Sequence, residues 1–175
     1  GSVHPEELTT LLDAMDLLLS KLESALIIIA PRHLHSVSTI TRILNDRNVP
    51  YLLRSALINS VSDDVRVIIL DTYGELASVY ALAHAGIIGG TLFDRGGHNP
   101  LEAIALGVPV IAGRSVFNFA RIYKELVEAG CCRLVEDSAH LAQALEHYIF
   151  DTQQRQRAAS AGFSYFAARS GSAPQ

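Results

Sequence analysis

Gly86-Ile87-Ile88-Gly89-Gly90-Thr91-Leu92-Phe93-Asp94-Arg95-Gly96-Gly97-His98-Asn99-Pro100-Leu101-Glu102 is the stretch that decides how the rest of the chain is read. The apolar run from Ala85 to Ile88 reads as a buried strand that stops at two glycines. A polar loop follows, then two further glycines and an Asn-Pro that opens a helix. In an open α/β sheet, the loops at the carboxyl ends of the strands and the adjoining helix starts form the ligand crevice. Adjacent glycines permit positive φ and close backbone approach, and a helix start offers unpaired N–H groups to an anion. The stretch is therefore expected to be a small-molecule site suited to phosphate.

Strands and helices alternate on both sides of it. Downstream, a helix from Pro100 to about Leu106 should close at Gly107, followed by a strand at 109–112 and a helix at 117–129. A short strand at 132–135, a helix over 138–150 and a polar helix over 153–169 complete the domain, leaving 170–175 as a frayed tail. Upstream, Leu8, Leu11, Leu12, Met15, Leu18, Leu19 and Leu22 recur at helical intervals. Strands are expected at 26–30, 51–53 and 65–70. Between the first two, a helix carrying Val37, Ile40, Ile43 and Leu44 could be capped by Ser36 or Ser38. Thr72 and Glu75 have the spacing of an N-cap and its partner, which predicts a helix over 73–84. Runs apolar on both faces mark strands covered by helices on both sides, so the fold expected is α/β with a doubly wound parallel sheet. Such a domain normally begins with a strand, whereas this chain opens in a loop before a helix. Gly1-Ser2 are either the end of that strand or residues foreign to the domain; if the strand is native to the domain, its slot should be empty or filled by a neighbouring molecule.

Composition narrows the function. The chain has 175 residues, 49% of them hydrophobic, and a net charge of −4, which suits one globular domain. Lys21 and Lys124 are its only lysines, and without a basic cluster a nucleic-acid partner is excluded. No apolar run is long enough to span a bilayer, and no signal-peptide pattern opens the chain. Cys131 and Cys132 are adjacent, which offers no disulfide framework and suggests two small buried thiols. His4, His33, His35 and His98 fall in loops, but no compact zinc motif gathers them, so no metal is expected. The glycine spacing fails the dinucleotide G-x-G-x-x-G pattern, and no G-x-S-x-G elbow is present.

Several residues carry two readings. Asn99, Pro100 and Glu102 can be an ordinary helix cap, yet the preceding Gly96-Gly97-His98 is more than a cap needs. As ligand groups, Glu102 could accept both hydroxyls of a ribose, and Asn99 both donates and accepts. Arg32, just past a strand, is either a solvated loop arginine or a fork for phosphate or carboxylate. His98 could bond a phosphate or fix the loop.

Asp71-Thr72-Tyr73-Gly74-Glu75-Leu76, Gly89-Gly90-Thr91-Leu92 and Gly96-Gly97-His98-Asn99-Pro100-Leu101-Glu102 resemble the C-terminal domain of the Kdo transferases. These are the 3-deoxy-D-manno-octulosonic acid transferases of lipopolysaccharide biosynthesis. Gly1-Ser2-Val3-His4, Ala30-Pro31-Arg32-His33 and Phe117-Asn118-Phe119 extend the resemblance in the same order, over roughly 1–150. Arg114-Ser115-Val116 departs from the Pro-His-Thr type of that family, which leaves the contacts there open. The resemblance implies the Rossmann-like half of a two-domain GT-B glycosyltransferase, with residues 1–169 as the nucleotide-sugar domain. It implies CMP-Kdo as donor substrate with no cofactor, and transfer to a lipid A precursor held by an N-terminal acceptor half. Carried onto this sequence, Arg32 would meet the donor phosphate or carboxylate, and Asn99 and Glu102 the ribose or nearby donor atoms. Gly74 and Glu75 would lie near the nucleotide, Ser2 and His4 would border the donor, and Gly96, Gly97 and His98 would complete the site. The parent protein would work at the cytoplasmic face of the bacterial inner membrane, this half itself being soluble. Without an acceptor half the chain alone would transfer nothing. A stand-alone nucleotide-binding module and a GT-B enzyme using a UDP-sugar are the alternatives.

Overall fold

The computed structural model describes residues 1–22, 25–58 and 60–170. Its elements follow the expected alternation. They are α1 (Leu8–Leu19), β1 (Ile27–Ile29), α2 (Val37–Asp46), β2 (Tyr51–Leu53), β3 (Val67–Ile69), α3 (Leu76–Leu82), β4 (Gly86–Ile87), α4 (Leu101–Ala105), β5 (Val110–Ala112), α5 (Ala120–Glu128), β6 (Cys132–Leu134), α6 (Ser138–Phe150) and α7 (Thr152–Ser170). Ser170 ends the last helix instead of starting a tail, and 171–175 lie outside the described residues.

Every strand pairing is parallel, in two three-stranded sheets of order β2-β3-β1 and β4-β5-β6. Gly1–Val3 joins them, so the carboxyl end of the slot is neither empty nor borrowed, and Gly1-Ser2 lie where the end of the expected strand would. Val3 N donates to Ala30 O (2.9 Å) and Val3 O accepts from Arg32 N (2.9 Å), a parallel bridge at the end of β1. On the other side, Gly1 N donates to Ile87 O (2.6 Å) and Gly1 O accepts from Gly89 N (2.8 Å). The chain's own first residues thus fill the carboxyl end of the slot between β1 and β4. Read across that bridge, the order is β2-β3-β1-(1–3)-β4-β5-β6.

Strand side chains alternate between two cores, as a period of two requires. Ile111 and Val135 join the core formed with α1, α2 and α6, which contains Leu8, Leu12, Ile40, Leu44, Leu141 and Tyr148. Val110, Ala112 and Cys132 join the opposite core with α4 and α5, which contains Ile104, Tyr123 and Leu126. α7 lies across α4 and α6, and Tyr165 OH donates to Glu125 Oε2 (2.8 Å), tying α7 to α5. Among the described residues no helix is long and apolar enough to cross a membrane.

Several helix starts differ from expectation; α5 begins at Ala120, not 117, because Phe117–Phe119 form a 3-10 turn ahead of it. α3 begins at Leu76, not Tyr73, because Gly74 turns to φ +81°. The Thr72 hydroxyl donates to the Glu75 carboxylate, which is also paired to Arg54 Nη2 (2.8 Å). That carboxylate is diverted from the backbone N–H a capping box would satisfy. The same helix ends at Leu82, so His84 lies beyond its last turn. α4 begins at Leu101 with Pro100 as N-cap, and Asn99 Oδ1 accepts from Leu101 N (3.0 Å). Glu102 does not fold back on the cap, so the expected box is absent. Ser36 occupies the N-cap of α2 without a side-chain bond, and the Ser38 hydroxyl instead donates to His35 O (3.5 Å).

Candidate functional site

The loop between β4 and α4 doubles back on itself at the carboxyl edge of the sheet. Gly97 N donates to Gly90 O (2.8 Å) and His98 N to Gly89 O (3.2 Å). Gly89 touches the opening segment so closely that a Cβ there would lie 1.9 Å from Ser2 O. Thr91, 1% exposed, donates from Oγ1 to Ile88 O (2.6 Å) and accepts from Gly113 N (2.8 Å), pinning the loop to β5. Ser115 Oγ accepts from Arg95 N (3.1 Å) and Gly96 N (2.8 Å). Asn118 Nδ2 donates to Arg95 O (3.1 Å), and Tyr123 OH donates to His98 O (2.8 Å).

The backbone N–H groups of the loop itself are engaged within the chain. Glu7, 1% exposed, accepts from Gly90 N (2.9 Å), Thr91 N (3.2 Å) and Leu92 N (3.2 Å), and from His4 N (2.9 Å). Gly96 is glycine for packing, since a Cβ there would meet the Phe117 ring and the Asn118 amide at 2.5 Å. Gly97 is hemmed in by Ser115 O and Thr91 Cγ2, each 3.0 Å from such an atom.

Imidazole and guanidinium groups that could meet an anion lie beside the loop. His4 and His98 meet Nε2 to Nε2 at 2.8 Å, with rings 14° from parallel and centroids 5.1 Å apart. Those values describe an edge-to-edge hydrogen bond between coplanar rings, in which one nitrogen donates and the other accepts. Both imidazoles titrate below the ordinary value. For His4, burial is the main cause, followed by the Arg95 guanidinium; for His98, burial is followed by His4 and Arg32. The His33 ring approaches His4 edge-on at 6.4 Å and stacks on His35 at 5.2 Å. Arg32 follows β1, is exposed, and its guanidinium makes no hydrogen bond or ion pair with another described residue. Cationic and imidazole groups thus converge where Ser2, in the left-handed region at φ 57°, leads the chain into His4.

Asn99 and Glu102 are both exposed beyond His98. Asn99 uses Oδ1 for Leu101 N, which leaves its amide N–H₂ to face outward, and Glu102 has no hydrogen-bond partner among the described residues. Tyr80 lies nearby: burial and then the Glu102 charge push its hydroxyl up. Gly74 and Glu75 sit apart, at the end of β3. There Glu75 is held by Thr72 and Arg54, while Asp71 accepts from Ser55 N (2.8 Å). No bond among the described residues joins that group to the His4–His98 group. An open cavity of about 510 Å³ on the β5–β6 side is lined by Thr91, Phe93, Arg114, Phe117 and Glu136. Another of about 640 Å³, at the α6–α7 junction, holds none of the candidate residues. Among the described residues no group of three or more His, Cys, Asp or Glu is arranged to hold a metal.

Thr91 lay within the expected stretch without an assigned role, and Glu7, Ser115 and Tyr123 were not legible as parts of this site. Glu7 reads as an acidic first-turn residue, and Ser115 lies in the segment 114–116 whose contacts the resemblance left open. Its hydroxyl supplies the two acceptor contacts that the departure left open.

Residues 3–164 match the family described as glycosyl transferases group 1. The 3-deoxy-D-manno-octulosonic acid transferase of Haemophilus influenzae is 32% identical over 165 residues, 93% of this chain and 38% of that protein. That of Bordetella pertussis is 30% identical over 146 residues, covering 83% and 34%. The chain therefore spans little more than a third of the length of these relatives. Among solved structures, the C-terminal CMP-Kdo binding domain of WaaA from Acinetobacter baumannii superposes with a TM-score of 0.86 at 26% identity, over 93% of this chain and 84% of that one. The protein belongs to the group 1 glycosyl transferases, and within them it is similar over nearly its whole length to Kdo transferases.

Proposed function

We propose that this chain is the donor-binding half of a Kdo transferase and that it holds CMP-Kdo at the carboxyl edge of its sheet. The observation that carries the reading is the Arg32 guanidinium, without a hydrogen-bond or ion-pair partner among the described residues, beside the hydrogen-bonded His4–His98 pair at the end of the bridge between the two sheets. Arg32 is placed to take the donor phosphate or carboxylate as a fork, and His98 offers an imidazole beside it. The exposed Asn99 amide and Glu102 carboxylate would hold the ribose. Gly74 and Glu75 would border the nucleotide from the end of β3, where the Arg54 pair holds the Glu75 side chain in place.

In this reading the transfer is attack by an acceptor hydroxyl of a lipid A precursor on the anomeric carbon of Kdo, with inversion and departure of CMP. The charge that develops on the leaving phosphate would be met by the Arg32 guanidinium and by the imidazole pair, which its own hydrogen bond holds in place. The acceptor and the general base would come from an acceptor half, at the cytoplasmic face of the inner membrane. Calorimetric titration of the protein with CMP and with UDP tests the assignment. CMP should bind more tightly; tighter binding of UDP would replace the cytidine donor with a uridine one, and binding of neither would remove the donor site.

A further inference from the structure

We propose that Glu7 is a positioning residue of the donor site, a role that rests on the donor-site reading above. A carboxylate offers about four lone-pair positions, and each Glu7 oxygen accepts two backbone N–H groups. Oε1 takes Thr91 N and Leu92 N, while Oε2 takes His4 N and Gly90 N. Successive backbone N–H groups converging on one point form an anion-binding nest. Here the nest is filled from within the chain, by a side chain 83 residues away from Gly90. It is closed to the donor phosphate.

The consequence is positional. Gly90 O and Gly89 O accept from Gly97 N and His98 N, so the strand end that Glu7 fixes is the one on which His98 is hung. Oε2 also holds His4 N, and His4 is the other half of the imidazole pair. One buried carboxylate therefore sets the position of both imidazoles that face Arg32, while contacting no ligand itself. Because both oxygens only accept, an amide at this position cannot replace it. Either orientation of a Gln side chain would turn its N–H₂ group toward two backbone N–H donors.

The test compares Glu7→Gln and Glu7→Asp with Leu141→Ala, which opens the core under α6 and removes no hydrogen bond of the loop. CMP affinity is measured by calorimetry at a temperature where each variant is folded, and amide hydrogen exchange is followed at 89–98. Glu7→Gln should weaken CMP binding about tenfold or more. It should also expose the amides of Gly90, Thr91, Leu92, Gly97 and His98. Glu7→Asp, with the charge kept and the reach shortened, should fall between, and it carries the test if the Gln variant does not fold. Leu141→Ala should lower the melting temperature while changing CMP affinity by no more than about twofold. A Glu7 variant that binds CMP as Leu141→Ala does would overturn the positioning role and leave Glu7 as a fold contact. Absence of CMP binding in the wild type would overturn the donor reading together with the role built on it. The exchange data would then still report whether Glu7 orders the loop.

Discussion

Glu102→Gln separates a ligand group from a helix cap. The side chain is exposed and has no hydrogen-bond partner among the described residues, and the capping box that could have used it is absent. The substitution removes no bond from the fold, so its stability cost should stay within about 0.5 kcal/mol, as for surface changes away from such features. For a chain of this length that is about 1–2 °C in melting temperature. Binding should respond differently. If the carboxylate accepts from a ribose diol, replacing it with an amide loses a charge-assisted bond, about 1.5–3 kcal/mol. That is about ten- to a hundredfold in affinity. Titration of CMP into both proteins, with thermal melts alongside, reads the two effects separately. Equal CMP affinity in wild type and variant would refute the ligand role. A melting temperature several degrees lower would show that Glu102 supports the fold after all.

Ser115→Ala should orphan the buried Gly96 N, while Arg95 N keeps Phe93 O (2.8 Å) as acceptor; the loss should cost about 1–3 kcal/mol and lower the melting temperature by about 2–4 °C per kcal/mol, and an unchanged melt would refute the pinning role of the hydroxyl. Acid should destabilise the protein before its carboxylates titrate. Burial first, then neighbouring charge, holds His4, His98 and His147 below the ordinary imidazole value in the folded state. Below about pH 6.5 the unfolded chain therefore binds more protons than the folded one, and stability is lost as pH falls toward the folded values. Asp71, Glu75 and Glu125 are pushed below their usual range, so the window from about pH 6.5 to 5 belongs to these histidines and to the Gly1 amine, which burial lowers to about 5. The melting temperature should drop across that window, and less steeply in His98→Gln; an equal slope in the two proteins would refute the contribution of the pair.

The elements could be read from the chain because their causes are local. The 3- and 4-residue spacing of Leu8, Leu11, Leu12 and Met15, and the unbroken run at Ile27–Ile29, fix helix and strand through side-chain period alone. Ser138–Phe150 begins and ends where its Asp137 cap and its apolar spacing place it. Helix starts were less legible, because Thr72 and Glu75 have the right spacing for a cap but a third residue, Arg54, competes for the carboxylate. The site itself was only half in the sequence. Its glycines and its Asn-Pro were visible, but a phosphate nest and a nest filled by the chain's own carboxylate share one sequence pattern. Which of the two forms depends on Glu7 arriving from 83 residues away, and the imidazole pair on His4 meeting a partner 94 residues distant. Hydrogen bonds at that separation are set by how α1 and the sheet pack, and no local spacing encodes them.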